Sequence, residues 1–150
     1  MPCTILIFLD ANIPMYAGGT EHRLKEYCIR VLQLTRELPS RFTTSAEVLQ
    51  ELIHRYTAIR RWPQGRVMFA EFATLLSGRI HPIYPADVMN AAALADSITT
   101  LSARDLLHLA VMRRLQISRI VSTDAQFDHV DGIERLNPMK VGEWRDTVVA

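Results

Sequence analysis

Lysine is nearly absent from this chain: of 17 basic residues only Lys25 and Lys140 are lysines, and the rest are arginines. That scarcity leaves no convincing phosphate-binding lysine. It also makes the basic surface one of planar guanidinium forks, which suit phosphate oxygens and interface carboxylates, although genomic base composition accounts for the bias equally well. Cysteine is as sparse. Cys3 and Cys28 form no C-x-x-C pair, which excludes a disulfide framework and a zinc knuckle and fits a reducing, cytoplasmic setting. Charge of one sign is missing too. With a net charge of +1, bulk electrostatics predict neither a nucleic-acid binder nor an enzyme for acidic substrates. No long hydrophobic run is present at the start, where Ile5 to Leu9 stops at Asp10 and no basic residue precedes it. Neither a signal peptide nor a membrane span is expected from such a segment.

At 150 residues and 49% hydrophobic, the chain is expected to fold as one domain, 1–150, with a proper core. Ile5 to Leu9 reads as a central parallel strand buried on both faces. After the Gly18-Gly19 break, a helix is predicted from Thr20 or Glu21 to about Glu37. Arg41 to Thr44 is a short strand candidate. Thr44 or Ser45 then caps a helix in which Val48, Leu49, Leu52, Ile53, Tyr56 and Ile59 recur at helical spacing. Trp62 to Gly65 reads as a turn, and Arg66 to Leu76 as a helix closed by Gly78. Ile80 to Tyr84 contains Pro82, so it belongs at a sheet edge if it is a strand. An alanine-rich helix runs from Pro85 or Asp87 to about Ile98, and Ser102 caps a buried helix from Ala103 to Leu115. The stretch from Arg119 to Asp128 opens on a short buried strand around Ile120 and Val121, with Asp124 just past its end, and Ile133 to Leu136 is another strand; the tail after Asn137-Pro138 shows no clear periodicity. Strands alternating with helices predict an α/β protein of three layers, α/β/α, with a small central parallel sheet and many helices.

Acids stand where such a fold puts a site. Asp10 follows the first strand, Glu47 and Asp105 lie in first helical turns, and Asp124 falls just past the strand that contains Ile120 and Val121. Parallel strands bring their C-terminal ends to the side on which the next helices begin, so these four can meet. Each also has a plain structural role. Asp105 fits a capping box with Ser102. Glu47 is an ordinary first-turn acid with Glu51 as its rival one turn later, and Asp10 and Asp124 suit Asx turns. Asp128, Asp131 and Glu134 read as a solvated loop face, and His108, one turn after Asp105, as a packed helix histidine. His54 and His129 have no partner at metal spacing.

Convergence would demand a cation, because two carboxylates about 4 Å apart repel by up to ~4 kcal/mol at an effective dielectric near 20. An oxygen-rich site suits Mg²⁺ or Mn²⁺, and such ions serve phosphodiester hydrolysis. Competing motifs fail. There is no G-x-x-x-x-G-K and no G-x-G-x-x-G, the spacing of Asp124, Asp128 and Asp131 does not match a calcium loop, and no motif places a Ser-His-Asp set. Phosphotransfer through Asp10 as nucleophile is disfavoured by Asn12, which stands where a second aspartate is wanted, and by the missing lysine.

Four stretches in order resemble the motifs of the PIN-domain family, most closely the VapC-like toxin ribonucleases of type II toxin-antitoxin modules. They are Leu9-Asp10-Ala11-Asn12; Thr44-Ser45-Ala46-Glu47 through Glu51-Leu52; Ser102 through Asp105 to Ala110; and Ser122-Thr123-Asp124 through Asp128. The resemblance covers almost the whole chain, with Ala17 to Pro39 expanded. It implies an α/β/α fold and a Mg²⁺- or Mn²⁺-dependent endoribonuclease leaving a 5′-phosphate and a 3′-hydroxyl. It further implies a homodimer and an antitoxin partner. Carried over residue by residue, Asp10, Glu47, Asp105 and Asp124 are the catalytic and metal-binding acids, while Asn12, Ser122 and Thr123 hold ligands or the phosphate and Asp128 is an outer candidate. The alternative is a non-catalytic PIN-like module that binds RNA or a protein partner.

Overall fold

The computed structural model describes residues 5–148. Cys3 lies outside them. Five short strands, β1 (Ile7–Leu9), β2 (Phe42–Ser45), β3 (Ile80–His81), β4 (Arg119–Val121) and β5 (Glu134–Leu136), form one sheet in the order β3-β2-β1-β4-β5. Every pairing is parallel. Burial explains the order. The central strand β1 is wholly apolar, and Ile7, Phe8 and Leu9 are fully buried as the two-sided reading requires. The β3 segment with Pro82 falls at one edge, where a missing backbone donor is harmless.

Seven α-helices surround the sheet in the expected three-layer α/β/α arrangement: α1 (Asn12–Gly18), α2 (Lys25–Glu37), α3 (Ala46–Ala58), α4 (Trp62–Leu75), α5 (Pro85–Ala95), α6 (Ala103–Arg114) and α7 (Val141–Val148). They pack in neighbouring pairs, α1 with α2, α3 with α4 and α5 with α6. Differences from the sequence reading have physical reasons. The turn expected at Trp62-Pro63-Gln64-Gly65 is instead the first turn of α4. Proline at a helix start loses no hydrogen bond, and a side chain at Gly65 would collide with the Tyr56 ring, so this glycine permits close helix packing and does not mark a turn. The short helix α1, absent from the sequence reading, follows at once from the turn at Asp10. The tail is helical because Val141 and Trp144 bury one face of α7, with the Trp144 indole donating to the Asn137 carbonyl at 2.8 Å.

The sheet's register sets the site. Leu9 pairs with Val121, and one further bond, Asp10 N to Val121 O at 3.1 Å, carries the ladder just past the end of β1. The Thr44 hydroxyl donates to the Leu9 carbonyl at 3.0 Å. Thus β1 and β4 end level, and Asp10 and Ser122 leave them beside Ser45, the last residue of β2. Buried Cys28, its thiol pushed up to about 12 by burial, is packed and unreactive.

Candidate active site

Asp10 is 3% exposed, and both oxygens of its carboxylate accept hydrogen bonds. One oxygen accepts from the Ala11 amide at 2.7 Å, and the other from the Ser122 hydroxyl at 2.7 Å and the Asn12 side-chain amide at 3.2 Å. Ser122 is a hub. Its hydroxyl accepts from Asn12 Nδ2 at 3.1 Å and from the Asp124 amide at 3.0 Å. Asn12 in turn accepts from the Thr123 amide at 3.2 Å. The ends of β1 and β4, separated by more than a hundred residues of chain, are therefore stitched by polar groups whose partners are all specified. Asp124 accepts from the Gln126 amide at 2.9 Å, which is the Asx turn expected of it, and it starts the single-turn helix Ala125–His129.

From α6, Asp105 approaches the same place. Its amide is capped by the Ser102 hydroxyl at 3.2 Å, and its carboxyl lies within electrostatic reach of Asp10 and Asp124. Burial, then the Asp10 charge, pushes its pKa up to about 6; His108 and the Ser102 hydroxyl oppose this, and Asp124 adds to it. His108 is fully buried against Phe8, with ring centroids 5.5 Å apart. Its Nε2 lies 3.3 Å from Glu51 Oε2 and 3.8 Å from Asp10 Oδ1. Burial disfavours the imidazolium, but the Glu51 hydrogen bond and the charges of Asp10, Glu51 and Asp105 outweigh it and hold the proton more tightly than usual. The histidine packs in its helix as the sequence suggested, and it also links two acids.

Of the two glutamates on α3, Glu51 joins this group. Glu47, half-buried in the first turn, forms no hydrogen bond or ion pair among the described residues. Atoms of Asp10, Glu51 and His108 that can ligate a cation all lie within 4.8 Å of one another. Asp128, the outer candidate, faces Arg135 of β5, which grips both its oxygens at 2.9 and 3.0 Å and also donates to the Ser122 carbonyl at 3.1 Å. Those bonds hold the Asp128 carboxyl below the ordinary carboxylate range. Sequence reasoning missed Arg135, since nothing in a short strand announces which way its polar residue turns.

The donor set fits a divalent cation. Three to four acids share one partly buried mouth, and the elevated Asp105 pKa reflects burial first and the neighbouring Asp10 charge second. Stability follows. With a folded pKa above the unfolded value of 3.8, Asp105 imposes no penalty below about pH 3.8 and a growing one as pH rises through about 6. After allowance for solvent screening that penalty is of the order of 1–2 kcal/mol. Asp105→Asn is expected to raise the melting temperature of metal-stripped protein by about 3–6 °C at pH 7.5 and to leave it unchanged at pH 4. Thermal melts at both pH values check this; a variant that melts lower at pH 7.5 would contradict the crowding.

A PIN domain family model matches residues 7–133. Ribonuclease VapC13 of Mycobacterium tuberculosis and the VapC ribonuclease Mb1869c of Mycobacterium bovis are each 40% identical over 131 residues, 87% of this chain and 99% of each relative. Among solved structures, VapBC2 from Rickettsia felis, bound to a DNA fragment from its promoter, matches with a TM-score of 0.68 at 17% identity, covering 89% of this chain and 98% of that one.

Proposed function

Because the chain belongs to the PIN-domain family, we propose that it is a metal-dependent endoribonuclease, the toxin of a type II toxin-antitoxin pair. The observation that carries this reading is the meeting of Asp10, Glu51, Asp105 and His108 beside Asp124, at the sheet edge where strands from distant parts of the chain end together. The relatives named as VapC ribonucleases support the substrate class.

In this reading Asp10, Glu51, Asp105 and Asp124 would hold Mg²⁺ or Mn²⁺ directly or through water, with Glu51 taking the place assigned from sequence to Glu47, whose rival it was. Held there, such an ion would supply Lewis-acid polarisation of the scissile phosphate and a more acidic attacking water. The chain's own residues do the rest. Ser122 and Asn12 fix the Asp10 carboxylate in one rotamer, so no reorganisation is needed when charge develops. The hydrogen bond between Glu51 and His108 Nε2 keeps the buried imidazole oriented. Thr123 sits at the mouth with its amide fixed by Asn12, and its half-exposed side chain is available to a phosphate oxygen. Asp128, locked to Arg135, serves from the outer position by holding the Ser122 loop.

A VapC-like toxin further implies a homodimer, an antitoxin that covers the site, and a cytoplasmic setting. No helix among the described residues is long and apolar enough to cross a membrane. The test is cleavage of total RNA with end mapping, in Mn²⁺ and in EDTA. Discrete new 5′-phosphate ends that appear only with Mn²⁺ are expected. Equal cleavage in EDTA would overturn metal dependence, and RNA binding without cleavage under either condition would favour the non-catalytic module.

A further inference from the structure

Arg104 is the second residue of α6, between the capping Ser102 and Asp105. Its guanidinium Nη1 lies 3.9 Å from Glu51 Oε1, and the two side chains are 35% and 19% exposed. Among the described residues it is the one lysine or arginine ion-paired with any of Asp10, Glu51, Asp105 and Asp124; the other arginine pairs hold Asp87, Glu134, Asp128 and Glu37. A separation of 3.9 Å is attraction without a hydrogen bond, and no Arg104 N–H is engaged by another group among the described residues. The arginine is thus drawn to the acid mouth while its fork of five donors is left unspent. Glu51 has a second and shorter partner in His108 at 3.3 Å, so its orientation does not depend on Arg104.

A polyanion meets a problem at this mouth. Four carboxylates repel a phosphodiester, and a bound cation neutralises only part of that charge. We propose that Arg104 is a substrate-binding residue, its guanidinium taking non-bridging oxygens of an RNA phosphate at the rim of the acid cluster. The inference rests on the ribonuclease reading for its substrate and on the Arg104 geometry for its residue. A fork that pairs two oxygens at once gives both affinity and register, which a lysine at the same place would supply only as a point charge.

The experiment separates contact with RNA from an effect through Glu51. Cleavage of total RNA in Mn²⁺ is measured for wild type, Arg104→Ala and Arg104→Lys. Binding of a fluorescein-labelled, mixed-sequence single-stranded RNA is measured by anisotropy for Glu51→Gln and for Glu51→Gln with Arg104→Ala, from about 50 to about 300 mM KCl. Arg104→Ala is expected to slow cleavage roughly tenfold or more, with Arg104→Lys intermediate. In the Glu51→Gln background, losing Arg104 is expected to weaken RNA binding several-fold at the lowest salt and to reduce the slope of log affinity on log salt by about 0.7, one phosphate contact. Unchanged affinity and slope in that background would overturn the proposal, because Arg104 would then act only through Glu51. So would an Arg104→Ala enzyme that cuts within about twofold of wild type, since a tenfold loss is what removal of such a contact predicts. A wild-type protein that cuts no RNA defeats the ribonuclease reading alone; the binding arm still decides Arg104.

Discussion

Glu51→Gln is expected to lower Mn²⁺-supported RNA cleavage by about 100-fold or more, while Glu47→Gln changes it by no more than about threefold. The two glutamates lie one turn apart on α3, and a first-turn acid at a helix N-terminus is the more obvious sequence signal. Geometry favours the second. Glu51 Oε2 is 3.3 Å from His108 Nε2, and its carboxylate groups with that of Asp10, whereas Glu47 has no polar partner among the described residues. Removing the Glu51 charge would also release His108, whose proton is held chiefly against burial by the Glu51 hydrogen bond. Initial rates on one RNA at saturating and at limiting Mn²⁺ distinguish the causes. If Glu51 holds the ion, the Glu51→Gln loss shrinks as Mn²⁺ rises; if it holds only His108, the loss is the same at both. A Glu47→Gln loss as large as that of Glu51→Gln would return the role to the first turn.

The sequence carried the fold well where burial is two-sided. Within Ile5 to Leu9 and around Ile120 and Val121 parallel strands could be read because short apolar runs bounded by polar residues have few other homes, although β1 starts only at Ile7 and Ile5 is exposed. Asp10 and Asp124 followed from those strand ends and lie where that reading put them. The start of α4 was hidden because Pro63 suits a first helical turn as well as a loop and Gly65 serves close packing on Tyr56, and α1 because its seven residues are too few to show a period. The C-terminal helix was hidden because, among its described side chains, Val141 and Trp144 alone reach the core, too few to set a period. The glutamate was ambiguous because a position on a helix does not say which rotamer another helix will meet. Glu51 is chosen by His108 of α6, a contact across 57 positions that no local pattern encodes. Arg135 shows the same limit, since its three bonds to the Ser122 loop depend on the β4–β5 register.

The lock between α5 and α6 is expected to be worth more to stability than any surface ion pair, and Asp87→Ala to cost about 3 kcal/mol, a fall of roughly 6–12 °C in melting temperature. Asp87 is fully buried. It accepts from the Tyr84 amide at 2.8 Å and from Arg114 at 2.8 and 3.1 Å. Arg114 also donates to the Pro82 carbonyl at 3.0 Å, and its guanidinium stacks 4.7 Å over the Tyr84 ring. Burial alone would raise the Asp87 pKa, yet the Arg114 and Tyr84 bonds and the Arg114 charge overcome it and hold the carboxyl below its ordinary 3.8. A depressed carboxylate contributes stability above pH 3.8 and loses it as pH falls through the lower folded value. Arg114→Met should invert that dependence. Without its partner the buried carboxylate is held as the neutral acid, its folded pKa rises above 3.8, and the variant becomes less stable as pH climbs through the raised value. Melting curves for the two variants from pH 3 to pH 8 read both signs, and an Arg114→Met protein that melts alike across that range would contradict an unpaired Asp87. The same lock reaches the chemistry. Arg114 ends the helix that carries Arg104, Asp105 and His108 at its other turns, so a loosened α6 end is expected to cost cleavage rate as well as stability, most at temperatures just below the variant's melting point.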